Sequence, residues 1–354
     1  MNIKIHSAEL NRIMKTITQC IDTRDSSNLA NICITHEDNM LKFRATNGSF
    51  GAELSTPVLG GDGETFYVDG SMFAKVCAMC NGEIGITTDG KTCTVKGFGR
   101  TKLNMVEANI VSIEQIDGKS VVVDGGDLAN CYGHVAYAVS TDQTRIQLTG
   151  VLTESNGKTL KMVGLDGFQM SIEETVCDGD EIKAIIPGAF MKLVASSVVS
   201  GDEVKLTVNS TIVTAEADGI MLRCGLLTGD YIDYNKIIPG EFKTKSKVNV
   251  EAVRNALKAG NVVGNKQNLV KLNVGANAIT VNNNSERADF EAEIPCETQG
   301  DGLKIAFNEK YLMGTMNSIG DDNAELNFNG SVSPVVVKTM DGKGIRLLLP
   351  VRVN

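Results

Sequence analysis

The sequence predicts an α+β protein of three similar domains, each made of two repeats of a helix followed by strands. Three observations carry this expectation. Apolar residues recur at spacings of three and four in six short segments, as in amphipathic helices. Each segment precedes runs in which apolar and polar residues alternate, as in half-buried strands. Asn-Gly or Asp-Gly joins two such runs at matching places, as a tight strand connection requires.

Along the chain, SAELNRIMKTITQCI sets Leu10, Ile13, Met14 and Ile17 on one helix face, and MLKFRATNGSFGAEL (Met40 to Leu54) supplies a hairpin around Asn47-Gly48. SMFAKVCAMCNG reads as the second helix, ahead of the strands of EIGITTDGKTCTVKG. GDLANCYGHVAYAVS, with Leu128, Tyr132, Val135, Ala136 and Val139, is the third. Its hairpin TLKMVGLDGFQMSI (Thr159 to Ile172) repeats the first one: Leu-Lys, four residues, then Asx-Gly. GAFMKLVASSVVSG precedes alternating Val204, Leu206 and Val208. VEAVRNALKAG aligns Val250, Val253 and Leu257 before the weaker hairpin NAITVNNNSERADFEAEI. NEKYLMGTMNSIGDD then leads to AELNFNGSVSPVVVK. The period is roughly 60 residues. Two repeats per domain give domains 1–117, 118–242 and 243–354, with joints near Asp117 and Lys243. The chain closes on IRLLLPVRVN. An end this apolar is either packed as a last strand or offered to another molecule.

Composition narrows the function. The 354 residues are 42% apolar and 22% charged, an ordinary globular mixture. The net charge of −9 argues against gripping nucleic acid by bulk phosphate neutralisation, and the absence of Trp argues against stacking platforms for single strands. No apolar run approaches the roughly 18 residues of a membrane span, and no basic n-region opens an apolar leader, so a cytoplasmic protein is expected. Nine cysteines scattered through apolar runs read as reduced, buried thiols. Cys77 and Cys80 fall on one face of a helix, without the second pair of a zinc ribbon. His6, His36 and His134 stand near no nucleophile motif, GFGR and GNVVGNK match no phosphate-binding fingerprint, and Asp166 has no partner carboxylate in view. Neither catalysis nor a cofactor or metal is expected.

Geometry suggests what six helices are for. Suppose they line a concave surface with the sheets outside. Helices about 10 Å apart leave a hole of only about 9 Å when six close a circle, but roughly 28 Å when twelve do. Two chains joined head to tail would pass duplex DNA. The polar helix faces carry Arg12 and Lys15, the pair Arg254 and Lys258, and single Lys75, Lys192 and Lys310. Acidic residues gather instead in loops such as DGDE (Asp178 to Glu181). An acidic ring with sparse basic helix faces holds DNA by topology and lets it slide.

The chain resembles the bacterial DNA sliding clamps, the beta subunits of the replicative polymerase, along its whole length. The likeness is carried in order by AELNRIMKTI, YAVSTDQTRIQLTGVL, LKMVGLDGFQM, GDYIDYNKIIP, IAFNEKYLMGTMNSI and LLLPVRV. It implies a homodimeric ring around double-stranded DNA that tethers the replicative polymerase, the clamp loader, other polymerases and repair proteins. These partners dock short peptides bearing a glutamine, leucines and a terminal phenylalanine. By matching segments, the peptide groove would use Leu148, Leu165, Gly167, Phe168 and Met170, then Ile232, Lys236 and Ile237, then Asn308, Tyr311, Val332 and Pro334, and finally Leu348, Leu349, Pro350, Val351 and Arg352. Arg24 and Gln147 would face the DNA beside Arg12, Lys15, Lys192, Arg254 and Lys258. Leu103 and Met105 would meet Val262 of a second chain at the dimer interface. GFQM departs from a common Gly-His-Arg-Leu run, Leu165 replaces a small hydroxyl residue and Ile232 a proline, which implies a greasier groove.

Overall fold

A computed structural model describes residues 2–22, 24, 28–58, 63–110, 113–263 and 268–352. Six segments succeed one another with the same order of elements. The first is β1 (Asn2–His6), α1 (Ser7–Ile17), β2 (Asn31–Glu37), β3 (Met40–Thr46) and β4 (Phe50–Pro57). β5 (Glu64–Asp69), α2 (Gly70–Ala78), β6 (Glu83–Thr88), β7 (Thr92–Lys96) and β8 (Arg100–Asn104) form the second. The third comprises β9 (Lys119–Asp124), α3 (Gly125–Val135), β10 (Gly150–Asn156), β11 (Thr159–Leu165) and β12 (Gln169–Val176). After the two-residue β13 (Asp178–Gly179), the fourth holds β14 (Glu181–Pro187), α4 (Gly188–Ser197), β15 (Glu203–Val208), β16 (Ile212–Ala217) and β17 (Ile220–Gly225). The fifth has β18 (Thr244–Asn249), α5 (Val250–Val263), β19 (Leu269–Val274), β20 (Ala278–Asn284) and β21 (Asp289–Gln299). The sixth has β22 (Leu303–Asn308), α6 (Glu309–Asn317), β23 (Asn323–Phe328), β24 (Val335–Thr339) and β25 (Gly344–Leu348).

Each repeat therefore opens with a strand before its helix, an element the helix-then-strands reading omits. The junction has a local cause. The strand's last residue stands where a side chain can cap the helix that follows. His6 Nδ1 accepts from Ala8 N at 3.3 Å, Asp69 from Met72 N at 2.6 Å, and Asn308 from Lys310 N at 3.0 Å. Asp124 accepts from Gly126 N and Asp127 N, and Asn249 from Ala252 N. Such caps satisfy amides that a helix N-terminus leaves free. In the fourth repeat Pro187 holds that place, and proline needs no donor at a helix start.

The amphipathic helices bury the faces their spacing predicts: Leu10, Ile13, Met14 and Ile17 in α1, and Val250, Val253 and Leu257 in α5. α2 ends at Ala78, so Cys80 lies just beyond it, with its thiol against Val76 O. Both sulfurs are still buried, as are most of the cysteines, and all nine are unbridged. Desolvation pushes the Cys20 thiol up to about 12. Among the described residues, no helix is long and apolar enough to cross a membrane.

The two matched hairpins share one turn. Asn47 accepts from Ser49 N and Phe50 N, and Asp166 from Phe168 N and Gln169 N. The next residue is glycine at positive φ in both, +85° at Gly48 and +95° at Gly167, where a Cβ would be strained.

Packing forms two compact units: Met1–Ala129 with Cys177–Ile182 and Ala189–Leu226, and Asn130–Val176 with Lys183–Gly188 and Leu227–Asn354. In the first unit a nine-stranded sheet runs β13-β9-β15-β16-β17-β4-β3-β2-β5, beside a four-stranded sheet β1-β6-β7-β8. In the second, the order β10-β11-β12-β25-β24-β23-β18-β21-β20-β19-β22 is continuous. Strand pairing crosses the expected joints near Asp117 and Lys243. β17 pairs with β4, Ile220 opposite Leu54, and β12 pairs with β25, Met170 opposite Leu347. Shared ladders thus join the first repeat to the fourth and the third to the sixth.

Candidate functional site

The chain's closing segment organises the second unit. β25 inserts between β12 and β24, with Leu348 opposite both Gln169 and Val335. Beyond it, Leu349 N donates to Phe168 O at 2.9 Å and Val351 N donates to Ala306 O at 2.8 Å. The tail thus ties the Asp166-Gly167 turn to β22. Within this one segment the strand is core, and the last described residues, Val351 and Arg352, are exposed.

The residues expected in a peptide groove separate into a buried set and an exposed set. Leu148, Leu165 and Met170 are buried in one cluster with Tyr234, Val336 and Leu347, and Ile232 and Ile237 pack against it. Leu348 is fully buried in the neighbouring cluster with Phe307, Leu312 and Val335. Phe168 is 58% exposed, Val332 65%, and Leu349 and Val351 39% each. Asn308, Tyr311, Pro334 and Pro350 are half-buried, and Arg352 is exposed. Phe168 stacks on Tyr311 with centroids 5.9 Å apart and planes 19° from parallel, a contact that contributes about 0.5–1.5 kcal/mol beyond burial.

The segment bearing Ile232, Lys236 and Ile237 is anchored by two tyrosines. Tyr231 donates to Val163 O at 3.2 Å and Tyr234 to Glu154 Oε2 at 2.6 Å. Lys236 is exposed and pairs with Asp233 at 2.8 Å.

Beneath this surface lies a buried ionic network that the sequence reading missed. Arg346 has no exposed side-chain surface. Its guanidinium donates to Glu173 Oε2 at 2.5 Å, Ile172 O at 2.5 Å, Ser318 O at 3.0 Å and Ser318 Oγ at 2.9 Å. Half-buried His134 places Nδ1 3.4 Å from Glu173 Oε1. Desolvation pushes the Glu173 carboxyl up, but its hydrogen bond to His134 and the Arg346 charge outweigh that, and the net shift is downward. The signal was available: IRLLL puts Arg346 inside an apolar run, where a cation needs a buried partner.

The basic residues divide by what they already hold. Arg12 pairs with Glu9 at 2.8 Å, and Arg24 with Asp22 at 3.2 Å. Arg254 donates to Met316 O and Ile319 O at 2.9 and 2.6 Å and is only 22% exposed, so it caps the end of α6. In contrast, Lys15, Lys75, Lys192, Lys258 and Lys310 are exposed on five different helices, without an ion pair among the described residues. Gln147 is half-buried.

Two family models match the chain: DNA polymerase III beta subunit, central domain, over residues 122–233, and its C-terminal domain over 235–352. The chain belongs to the DNA polymerase III beta-subunit family, the sliding clamps. The beta sliding clamp of Bacillus subtilis (strain 168) is 24% identical over 347 residues, 92% of each chain. That of Vibrio cholerae is 22% identical over 339 residues, with the same coverage. Solved structures match over the full length of both chains. The DNA polymerase III beta subunit of Thermotoga maritima gives a TM-score of 0.92 at 20% identity, and the Pseudomonas aeruginosa sliding clamp bound to griselimycin 0.93 at 20%. The fold is accordingly the clamp fold, and the chain is a non-catalytic accessory subunit in DNA replication.

In this clamp, the residues expected at a subunit contact lie in dissimilar settings. Leu103 is buried on β8, Met105 is half-buried just after it, and Val262 is 86% exposed near the end of α5. β8 pairs only with β7, and Asp289–Pro295 of β21 pairs only with β20, so both offer a free edge among the described residues.

Proposed function

We propose that this clamp works as a processivity factor: two chains close head to tail into a ring around duplex DNA, and an apolar groove tethers polymerases and other partners. The observation that carries the reading is the sixfold repetition of β-α-β-β-β with, among the described residues, an exposed lysine without an ion pair on five of the six α-helices. Twelve helices from two chains make room for a duplex where six do not. Isolated lysines, each free to touch a phosphate, favour sliding over a fixed grip.

The dimer reading draws support from the two free edges. On β8, Arg100 and Lys102 point away from the side that buries Leu103, and on β21 Asp289, Glu291 and Glu293 alternate with Phe290, Ala292 and Ile294. Pairing these edges between chains extends two sheets and sets basic against acidic side chains, a complementary arrangement. Light scattering on the wild type across a dilution series is expected to give a dimer. Reversing both charges, Arg100→Glu with Lys102→Glu, is expected to shift dissociation to at least tenfold higher concentration. A wild-type monomer would refute the ring, and an unchanged variant would refute this edge.

For DNA, Arg24 is 89% exposed and, among the described residues, is held by Asp22 two residues away. The variant Arg24→Glu is expected to shorten residence on circular DNA severalfold at low salt while leaving peptide affinity unchanged. Equal residence would make Arg24 a solvated loop residue, leaving contact to the helix lysines.

A further inference from the structure

We propose that the peptide groove continues into a cationic cleft on the outer face of β19, β20 and β22, and that this cleft takes acidic residues flanking a partner peptide's apolar anchors. The inference rests on the groove reading and names the partner chemistry the groove selects.

A cleft of 740 Å³ shares Val332, Val351 and Arg352 with the expected groove. From there it extends over the sheet. Along β19, Val270, Leu272 and Val274 are buried, so Lys271 and Asn273 face outward. Strand register builds the rest. Lys304 of β22 lies opposite Asn273, and Lys271 lies between Ala306 of β22 and Asn282 of β20. Val351 N donates to Ala306 O, so the tail runs beside β22 and Lys271 stands one strand inward from it. The greasy rim and the two lysines are thus contiguous.

The charges decide the occupant. Lys271, Lys304 and Arg352 line the cleft with a single acid, Glu291, and three amides, Asn273, Asn282 and Asn284. All three cations are exposed, and none forms an ion pair among the described residues. The chain as a whole carries a net charge of −9, so a concavity lined by three cations and one acid departs from its average surface. Three unpaired cations gathered in one concavity are complementary to carboxylates, and the amides can hydrogen-bond an extended backbone. No aromatic side chain lines the cleft for base stacking. An extended peptide with one or two Asp or Glu residues beside its apolar anchors fits this lining.

Fluorescence anisotropy with three labelled peptides tests it. All contain a glutamine, two leucines and a phenylalanine. One has Ser-Gly on both sides, one has Asp-Asp on the amino side, and one has Asp-Asp on the carboxyl side. At low ionic strength one acidic peptide is expected to bind the wild type about tenfold more tightly than the neutral one. Salt at 0.5 M should erase that gain, because partly exposed pairs are screened. The variant Lys271→Ala/Lys304→Ala is expected to bind the neutral peptide as the wild type does and to lose the acidic preference. Failure of the neutral peptide to bind the wild type overturns the groove and the cleft with it. Neutral binding without an acidic gain, or a gain that survives in the double variant, overturns the cleft alone.

Discussion

Replacing Arg346 with alanine is expected to lower the unfolding free energy by about 3–5 kcal/mol, the cost of breaking a buried pair from one side. The variant leaves Glu173 charged beneath the surface and strips buried hydrogen bonds from Ile172 O and Ser318 O. Repairing both sides at once should behave differently. Arg346→Met with Glu173→Leu removes the pair together and is expected to recover much of the loss. Urea unfolding of the three proteins measures this, and a loss below about 1 kcal/mol for Arg346→Ala would mean the network is not desolvated. The acid limb follows from Glu173. Its pKa is held below the ordinary carboxylate value, so its contribution is complete above the unfolded-state pKa and is lost as pH falls through the folded one. Glu173→Gln is expected to flatten stability against pH on that limb, at the price of a lower plateau.

Truncating Phe168 to alanine is expected to weaken binding of the neutral peptide by about 2 kcal/mol or more, roughly 30-fold, while costing no more stability than its stack on Tyr311 contributes, about 0.5–1.5 kcal/mol. Phe168 is more than half exposed and rigidified by stacking on Tyr311, so it suits an anchor whose contacts form only with a partner. Leu348→Ala gives the contrast. Leu348 is fully buried, and its truncation should cost about 2–5 kcal/mol of stability first. Leu349→Ala, one residue on and partly exposed, should act on the peptide instead. Titration calorimetry beside thermal unfolding separates the two. If Phe168→Ala lowers stability and leaves affinity unchanged, the stacked pair belongs to the fold and the rim lies elsewhere.

Local signals carried far in this protein. The three-and-four spacing in α1 and α5 marks the buried faces residue by residue, because a helix exposes one side to a single core. Asn47-Gly48 and Asp166-Gly167 mark two equivalent turns, because the required positive φ and the Asx side-chain bonds are set within four residues. The strand before each helix was also written locally, in NIKIHS, ETFYVDG, KSVVVDG and LKIAFNE, where a short apolar alternation ends on a capping residue. It went unread because five or six residues give a weak period next to a strong helix.

What sequence determined by itself is the repeat, its helix faces and its turns, all fixed by interactions a few residues long. What only the tertiary structure decided is where distant segments meet. Arg346 finds Glu173 173 positions away, and Val351 lies against Ala306 on β22. Whether Leu348 is buried or Leu349 exposed depends on which neighbour each residue faces. Three cations from β19, β22 and the tail become one cleft only through strand register. Pairing of this kind joins residues whose separation along the chain leaves no periodic trace.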